Sequence, residues 1–192
     1  MFDNMRDHQH CGLGITVWFT GLSGAGKSTI AGAVAENLNT LGLRVQMLDS
    51  DVIRPHLCRG LGFSKEDRDE NVRRLGYVAN LLTQHGVIVL VAAISPYRST
   101  RSEVKQLVGS FIEVHVSTPL EICEARDTKG LYRRARAGEL ANLTGIDAPY
   151  EEPFDPDLRL DTSMISLEDC VVKVVERLLY RLSWPGYCFE VQ

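Results

Sequence analysis

The sequence predicts a three-layer α/β/α domain in which a parallel β-sheet lies between two layers of helices. Short apolar runs rich in β-branched residues recur along the chain, and stretches with helical spacing separate them. Strands that alternate with helices form parallel sheets with right-handed crossovers. The length of 192 residues suits one domain with a sizeable core, and the apolar fraction of 44% is ordinary for a globular protein.

The individual elements follow from the apolar runs and the helical spacing. The predicted strands are Ile15–Thr20, residues 44–48, residues 87–94 and Phe111–Val116. The predicted helices are residues 28–41, a helix between Ser64 and Gly86, Arg98–Val108, residues 119–126 and Leu167–Leu182. Ser64 followed three residues later by Asp67 is typical of a capped helix start. The apolar run at 87–94 is typical of a central strand that helices cover on both faces.

One stretch, from about residue 128 to residue 156, breaks this alternation, and we call it the lid segment. Its first part carries Lys129, Arg133, Arg134 and Arg136, and its second part is rich in proline. We interpret it as a mobile basic lid that closes over an anionic ligand. The alternative is a solvated helix followed by an irregular loop. The whole chain, 1–192, is then a single domain with an arm (1–14), a core (15–182) and a tail (183–192).

Composition and charge argue against several classes of function. The net charge of −4 and the isoelectric point near 5.7 argue against nonspecific nucleic-acid binding, which needs a basic surface. No apolar stretch approaches the ~20 residues of a membrane span, and the polar N-terminal stretch lacks the apolar core of a signal peptide. The five cysteines are widely spaced and form no paired motif, which predicts reduced thiols in the cytoplasm.

A phosphate-binding motif follows the first predicted strand. Residues 21–28 read GLSGAGKS, match GxxxxGK[ST] and precede a predicted helix, so the fold is predicted to be of the P-loop NTPase type. The predicted ATP-binding residues are Gly21, Leu22, Ser23, Gly24, Ala25, Gly26, Lys27, Ser28 and Thr29. Lys27 would reach the β- and γ-phosphates, and the Ser28 hydroxyl would bind Mg²⁺. The alternative is a glycine-rich turn with a chance Lys-Ser pair.

Two aspartates, Asp49 and Asp51, stand at the end of the second predicted strand. Ligands of open parallel sheets gather at the carboxyl ends of the strands, so we expect both carboxylates to face the phosphate site. Like charges this close need a cation or a proton between them. We therefore assign Ser28, Asp49 and Asp51 to Mg²⁺, and Asp51 also to the acceptor hydroxyl, while water or the local backbone stays open as the partner of Asp49. The alternative is a solvated turn, since Asp-Ser-Asp is common turn chemistry.

Basic and aromatic side chains predict a second anionic ligand beside ATP. Ser95 and Arg98 directly follow the third predicted strand, and four further arginines follow the acidic pair: Arg54, Arg68, Arg73 and Arg74. Guanidinium groups bind phosphate and sulfate in a fork geometry. Phe63 would either stack on a base or belong to the core.

Several stretches together resemble the adenylylsulfate (APS) kinase family: GLSGAGKST, LDSDVIR, LGFSKEDRDENVRR, AAISPYR, FIEVHVSTPLEICEARDTKGLYRRARAGEL and LTGIDAPYEEP. They run in the family's order from about residue 15 to residue 182. The resemblance implies a sheet with strand order 2-3-1-4-5 and a homodimer, and it leaves open whether the chain works alone or beside an ATP sulfurylase. It also implies the reaction, in which the γ-phosphoryl group of ATP moves to the 3′-hydroxyl of adenosine 5′-phosphosulfate, giving PAPS and ADP in sulfate assimilation.

The resemblance also implies roles for matching residues. Those implied to bind APS are Asp49, Asp51, Arg54, Phe63, Arg68, Asn71, Ile94, Ser95, Lys129, Gly130 and Leu131. Those implied to be catalytic are Asp51, Lys27 and Ser95, the last at the family's phosphoserine position. Direct in-line transfer needs only positioning and charge neutralisation, so we do not expect a phosphoserine on the reaction path.

Two positions depart from the family's pattern, and both lie in motifs that bind ligands. Ser50 replaces the glycine of Leu-Asp-Gly-Asp, which requires a backbone that avoids positive φ at that residue. Leu143 replaces the phenylalanine of Phe-Thr-Gly-Ile, which predicts weaker APS binding or weaker substrate inhibition. Two other functions stay open at this point: a P-loop kinase of another small acceptor, and a nucleotide-binding regulatory domain that has lost turnover.

Overall fold

The computed structural model describes residues 14–182, and it forms a five-stranded sheet between two layers of helices. The strands are β1 (Ile15–Thr20), β2 (Val45–Asp49), β3 (Ile88–Ala92), β4 (Phe111–Val116) and β5 (Leu158–Leu160). All pair in parallel, in the order β2-β3-β1-β4-β5, which confirms the predicted fold. The arm before residue 14 and the tail, with Cys11 and Cys188, lie outside the described residues.

The helices pack on both faces of the sheet. They are α1 (Lys27–Thr40), α2 (Ser50–Leu57), α3 (Lys65–Gln84), α4 (Arg98–Val108), α5 (Leu120–Arg126), α6 (Leu131–Arg136) and α7 (Leu167–Leu182). α1 and α7 cover one face and α3 and α4 the other. Side chains of β1 alternate between these layers, since Val17 and Phe19 join the first core and Trp18 joins the second. None of these helices is long and apolar enough to cross a membrane.

Most predicted elements agree with the structure to within two residues at each end. Ser64 caps α3 as predicted, because its hydroxyl accepts the N–H of Asp67 at 3.1 Å. Residue-level patterns missed two elements: α2, which buries none of its residues and contains Pro55, and the three-residue β5. The six-residue α6 lies where the alternative interpretation of the lid segment has a helix. The lid segment contains α6 followed by ordered turns, with one bridge between Thr144 and Ala148.

Strand register brings the functional loops to one edge of the sheet. Asp49 of β2 and Phe19 of β1 both pair with Ala92 of β3, so these three strands end at the same level. The P-loop, the start of α2 and the loop after β3 therefore leave the sheet side by side.

Candidate active site

A cavity of about 670 Å³ opens where these loops leave the sheet. The predicted site residues that line it are Ser23, Gly24, Gly26, Lys27, Ser28, Thr29, Asp51, Arg54, Phe63, Arg68, Asn71, Ile94, Ser95, Lys129 and Leu131. The predicted site residues that do not line it are Gly21, Leu22, Ala25, Asp49 and Gly130. Both departures from the family pattern, Ser50 and Leu143, lie on its wall.

The P-loop forms the part of the cavity that suits phosphate. Gly24 and Gly26 have φ of 74° and 105°, a left-handed backbone that glycine adopts without strain. Gly26 caps α1, so the positive end of that helix dipole faces the loop. Lys27 is buried and donates its ammonium to the Leu22 carbonyl at 2.6 Å. Burial, with the nearby charge of Lys129, lowers the pKa of Lys27 to about 8, although Asp51 opposes the shift.

The two aspartates have different environments. Asp49 caps α2, since its Oδ1 accepts the N–H of Asp51 at 2.9 Å. Asp51 lies in the first turn of α2, and its carboxylate accepts a hydrogen bond from the Lys129 ammonium. The cation beside Asp51 in this structure is therefore a lysine of the lid segment. Of the two carboxylates, the Asp51 carboxylate is the one on the cavity wall.

The backbone at Ser50 avoids positive φ, as the replacement of glycine by serine requires. This residue begins α2, and it is not among the three non-glycine residues with positive φ in the described part of the chain. Its hydroxyl accepts a hydrogen bond from the Asn71 amide at 3.3 Å. The serine therefore links α2 to α3 at the cavity wall, a contact that glycine cannot make.

Phe63 and two arginines form a second part of the cavity wall. The Phe63 ring is 52% exposed, so it faces the cavity and is not a core residue. The guanidinium carbons of Arg54 and Arg68 lie 4.3 and 5.5 Å from its centroid. Arg68 is buried, which lowers its pKa, and it donates to the carbonyls of Phe63 and Asn142. A base-sized aromatic surface thus lies beside two cations.

Ser95 turns its hydroxyl into the protein. Its φ is 40°, and its side chain is almost fully buried. The Oγ accepts the indole N–H of Trp18 at 3.0 Å and donates weakly to the Ala93 carbonyl at 3.4 Å. This hydroxyl is therefore hydrogen-bonded to groups of the core.

Of the five arginines singled out in the sequence, Arg54 and Arg68 line the cavity and the other three do not. Arg73 pairs with Glu103, Arg74 pairs with Glu70, and Arg98 stacks on Phe154 at 3.9 Å, all outside the cavity. In the lid segment Arg136 pairs with Glu124 on α5. The number of arginines in a stretch does not predict which way each side chain points, because each guanidinium group binds the carboxylate or aromatic ring that the fold places beside it.

Four residues that sequence reasoning did not select form hydrogen bonds to the P-loop from the side away from the cavity. They are Thr118, Arg126, Tyr132 and Thr162, and each donates to a P-loop carbonyl. No local pattern marks them, since they lie more than 90 residues from the loop in sequence. Thr118 and Thr162 follow β4 and β5, and Arg126 and Tyr132 belong to α5 and α6. Only the sheet topology reveals their role.

The donor set suits Mg²⁺ held jointly with a nucleotide. Within residues 14–182 no group of three His, Cys, Asp or Glu side chains is arranged to hold a metal by itself. Mg²⁺ typically takes one or two protein oxygens, with phosphates and water completing its shell. The Ser28 hydroxyl and the Asp51 carboxylate both line the cavity and can supply those oxygens.

Fold and site together define a P-loop kinase: a phosphate cradle and a pocket for an anionic aromatic acceptor share one cavity. The chain belongs to the adenylylsulphate kinase family, whose model matches residues 13–161. It is 58% identical over 165 residues to an adenylyl-sulfate kinase of Picosynechococcus sp., covering 86% of this chain and 93% of that one. An adenylyl-sulfate kinase of Microcystis aeruginosa is 59% identical over 165 residues, 86% of this chain and 91% of its own.

Solved structures agree with this assignment. The APS kinase CysC of Mycobacterium tuberculosis, in complex with AMPPNP and APS, superposes with a TM-score of 0.84 at 48% identity, covering 88% of this chain and 99% of that one. A hexameric APS kinase from Thiobacillus denitrificans has a TM-score of 0.66 at 36% identity, covering 94% of this chain and 31% of that one.

Proposed function

We infer that this chain transfers the γ-phosphoryl group of ATP to the 3′-hydroxyl of adenosine 5′-phosphosulfate, giving PAPS and ADP. The observation that carries this inference is the single cavity in which the P-loop faces the pocket of Arg54, Phe63 and Arg68. An adenine would stack on Phe63, and the two guanidinium groups would neutralise the phosphosulfate. The related complex with AMPPNP and APS supports the same pair of ligands.

The chemistry needs positioning and charge neutralisation more than covalent catalysis. Lys27 would neutralise charge on the β- and γ-phosphates, and Ser28 and Asp51 would hold Mg²⁺, which would supply further positive charge at the phosphates. The 3′-oxygen attacks the γ-phosphorus, the bond to the β,γ-bridging oxygen breaks, and Asp51 accepts the proton of the hydroxyl. Asp49 acts through the backbone, since its carboxylate caps the helix that carries Asp51.

Ser95 acts in this scheme as part of the acceptor wall, with Ile94, and not as a phosphate carrier. Its hydroxyl is bonded to Trp18 and buried, which supports direct transfer between the two ligands. Lys129 would move from Asp51 to the incoming phosphates as the lid segment closes, with Gly130 and Leu131 at the pocket's edge. The remaining ATP contacts fall to Ser23, Gly24, Gly26 and Thr29, because Gly21, Leu22 and Ala25 do not line the cavity.

The proposed setting is the cytoplasm, as a homodimer that associates with ATP sulfurylase. The described thiols of Cys58, Cys123 and Cys170 are free and buried, which supports a reducing compartment. Tyr77 and Leu81 of α3 are exposed apolar side chains that support a subunit contact.

A coupled assay with ATP, Mg²⁺ and APS tests the function. We expect PAPS formation by the parent, none after chelation of Mg²⁺, and a loss of several orders of magnitude in kcat for Asp51→Asn. Transfer to a nucleoside monophosphate or a sugar acid, with none to APS, would establish a different acceptor. ATP binding without any turnover would establish a regulatory domain. Near-normal turnover by Asp51→Asn would remove Asp51 from the proton-accepting role.

A further inference from the structure

The carbonyl groups of the P-loop are held by side chains that lie outside the cavity. The Tyr132 hydroxyl donates to the Ser23 carbonyl at 2.9 Å, and the Arg126 guanidinium donates to the Gly24 carbonyl at 3.3 Å. The hydroxyls of Thr118 and Thr162 reach the Ala25 carbonyl at 3.1 and 2.9 Å. None of these four side chains lines the cavity.

The direction of these carbonyls determines where the amides of the loop point. The peptide group is planar and trans, so the N–H that follows a carbonyl points the opposite way. A donor that holds the Ala25 carbonyl behind the loop therefore turns the Gly26 N–H toward the cavity. Amides that face inward are the groups by which such loops bind phosphate.

Thr162 is the centre of this set of bonds. Its hydroxyl lies 2.9 Å from the Ala25 carbonyl and 2.8 Å from the Thr118 hydroxyl, and it accepts from Arg126 at 2.7 Å. Its methyl group lies 3.3 Å from the site where a Cβ on Gly26 would stand. Thr162 directly follows the part of the chain that the family model matches, residues 13–161.

We propose that Thr162 is a positioning residue for ATP: its hydroxyl orients the Ala25–Gly26 peptide so that the loop's amides meet the phosphates. The inference rests on the proposed function only in taking ATP as the ligand of the P-loop. Thr162 acts through the backbone and touches no reacting atom. Its loss therefore weakens nucleotide binding and leaves the acceptor pocket of Arg54, Phe63 and Arg68 unchanged.

Calorimetric titration of Thr162→Val with MgAMPPNP tests the proposal, because valine keeps the shape and removes the hydroxyl. We expect about tenfold weaker nucleotide binding and a matching rise in the KM for ATP. The KM for APS and the melting temperature should stay near those of the parent. Thr162→Ser, which restores the hydroxyl, should recover affinity to within about twofold.

The outcomes separate this proposal from the proposed function. Parent protein that fails to bind MgAMPPNP contradicts the function itself. Parent-like affinity in Thr162→Val, while the parent binds, contradicts only the role of Thr162. An equal loss of affinity for both substrates, or no recovery with serine, would show a general packing effect and would also overturn it.

Discussion

Arg101 and Glu113 form an ion pair inside the protein, with 2.9 Å between Nε and Oε1, and both side chains are nearly inaccessible to solvent. The other two nitrogens of the guanidinium donate to the Ser95 carbonyl at 2.6 Å and the Glu151 carbonyl at 2.7 Å. One side chain thus joins α4, β4, the acceptor wall and the end of the lid segment.

Removing Arg101 alone should destabilise the fold strongly. Arg101→Met leaves the Glu113 carboxylate buried without its cation, which typically costs about 3–5 kcal/mol of unfolding free energy. The double variant Arg101→Met, Glu113→Leu should recover part of that loss, because it leaves no unpaired charge buried in the protein. Urea denaturation of the parent and both variants measures this. A double variant no more stable than the single one would contradict the assigned pairing.

ATP binding should take up a proton above about pH 8. The free protein holds the pKa of Lys27 near 8 by burial, and bound phosphate must raise it because it favours the charged ammonium. At pH 9 Lys27 is mostly neutral before binding and charged afterwards. Calorimetry in buffers with different ionisation enthalpies should show this uptake at pH 9 and little of it at pH 7.

Lys27→Met serves as the control for that experiment. Proton uptake at pH 9 that persists in this variant would have to come from another group. Lys129→Met should move the onset of uptake to higher pH, since the Lys129 charge contributes to the lowered pKa of Lys27.

Leu143→Phe should tighten APS binding by up to about tenfold. Leu143 is buried on the cavity wall, and a phenylalanine there would add an aromatic face worth ~0.5–1.5 kcal/mol. Leu143→Met is the matched control, because it changes shape without adding a ring. Equilibrium binding of APS measures the effect. Equal affinities for the parent and the phenylalanine variant would refute a stacking role at this position.

His115 should make the fold less stable in acid. It is buried against Tyr150, and burial lowers its pKa to about 4, below the 6.5 of an exposed histidine. The unfolded chain therefore binds the proton more readily between pH 6.5 and pH 4, so stability falls as pH drops through that window. The full effect is roughly 3 kcal/mol.

His115→Phe keeps an aromatic ring against Tyr150 and removes the titrating group. Its unfolding free energy should fall less than that of the parent between pH 6.5 and pH 4. Parallel slopes for the two proteins, measured by urea denaturation at several pH values, would mean that other groups cause the acid sensitivity.

The elements best predicted from sequence are those whose signal is local. The P-loop is a contiguous pattern. β1, α4 and β4 agree with prediction to the residue, because the hydrophobic periodicity and the turn residues that flank each run indicate the same boundaries. The direction of side chains was less predictable. Arg68 faces the cavity and Arg73, five residues on, pairs with Glu103 on α4, a difference that depends on packing between α3 and α4.

Asp49 and Asp51 show the same limit at the site itself. Sequence placed both at a strand tip, but only the structure separates them, since α2 begins between them and Asp49 becomes its cap. The supporting residues Thr118 and Thr162 were beyond sequence reasoning, because β4 and β5 bring them together across 44 residues.

The hydrogen bond from Trp18 to Ser95 provides a native optical probe. An indole anchored in the middle strand of the sheet donates to Ser95, which lies in the loop proposed to form the acceptor wall. Any shift of that loop would change the polarity around the indole and hence its fluorescence. With Trp184 replaced by phenylalanine, emission from Trp18 would follow acceptor entry in real time without a chemical label.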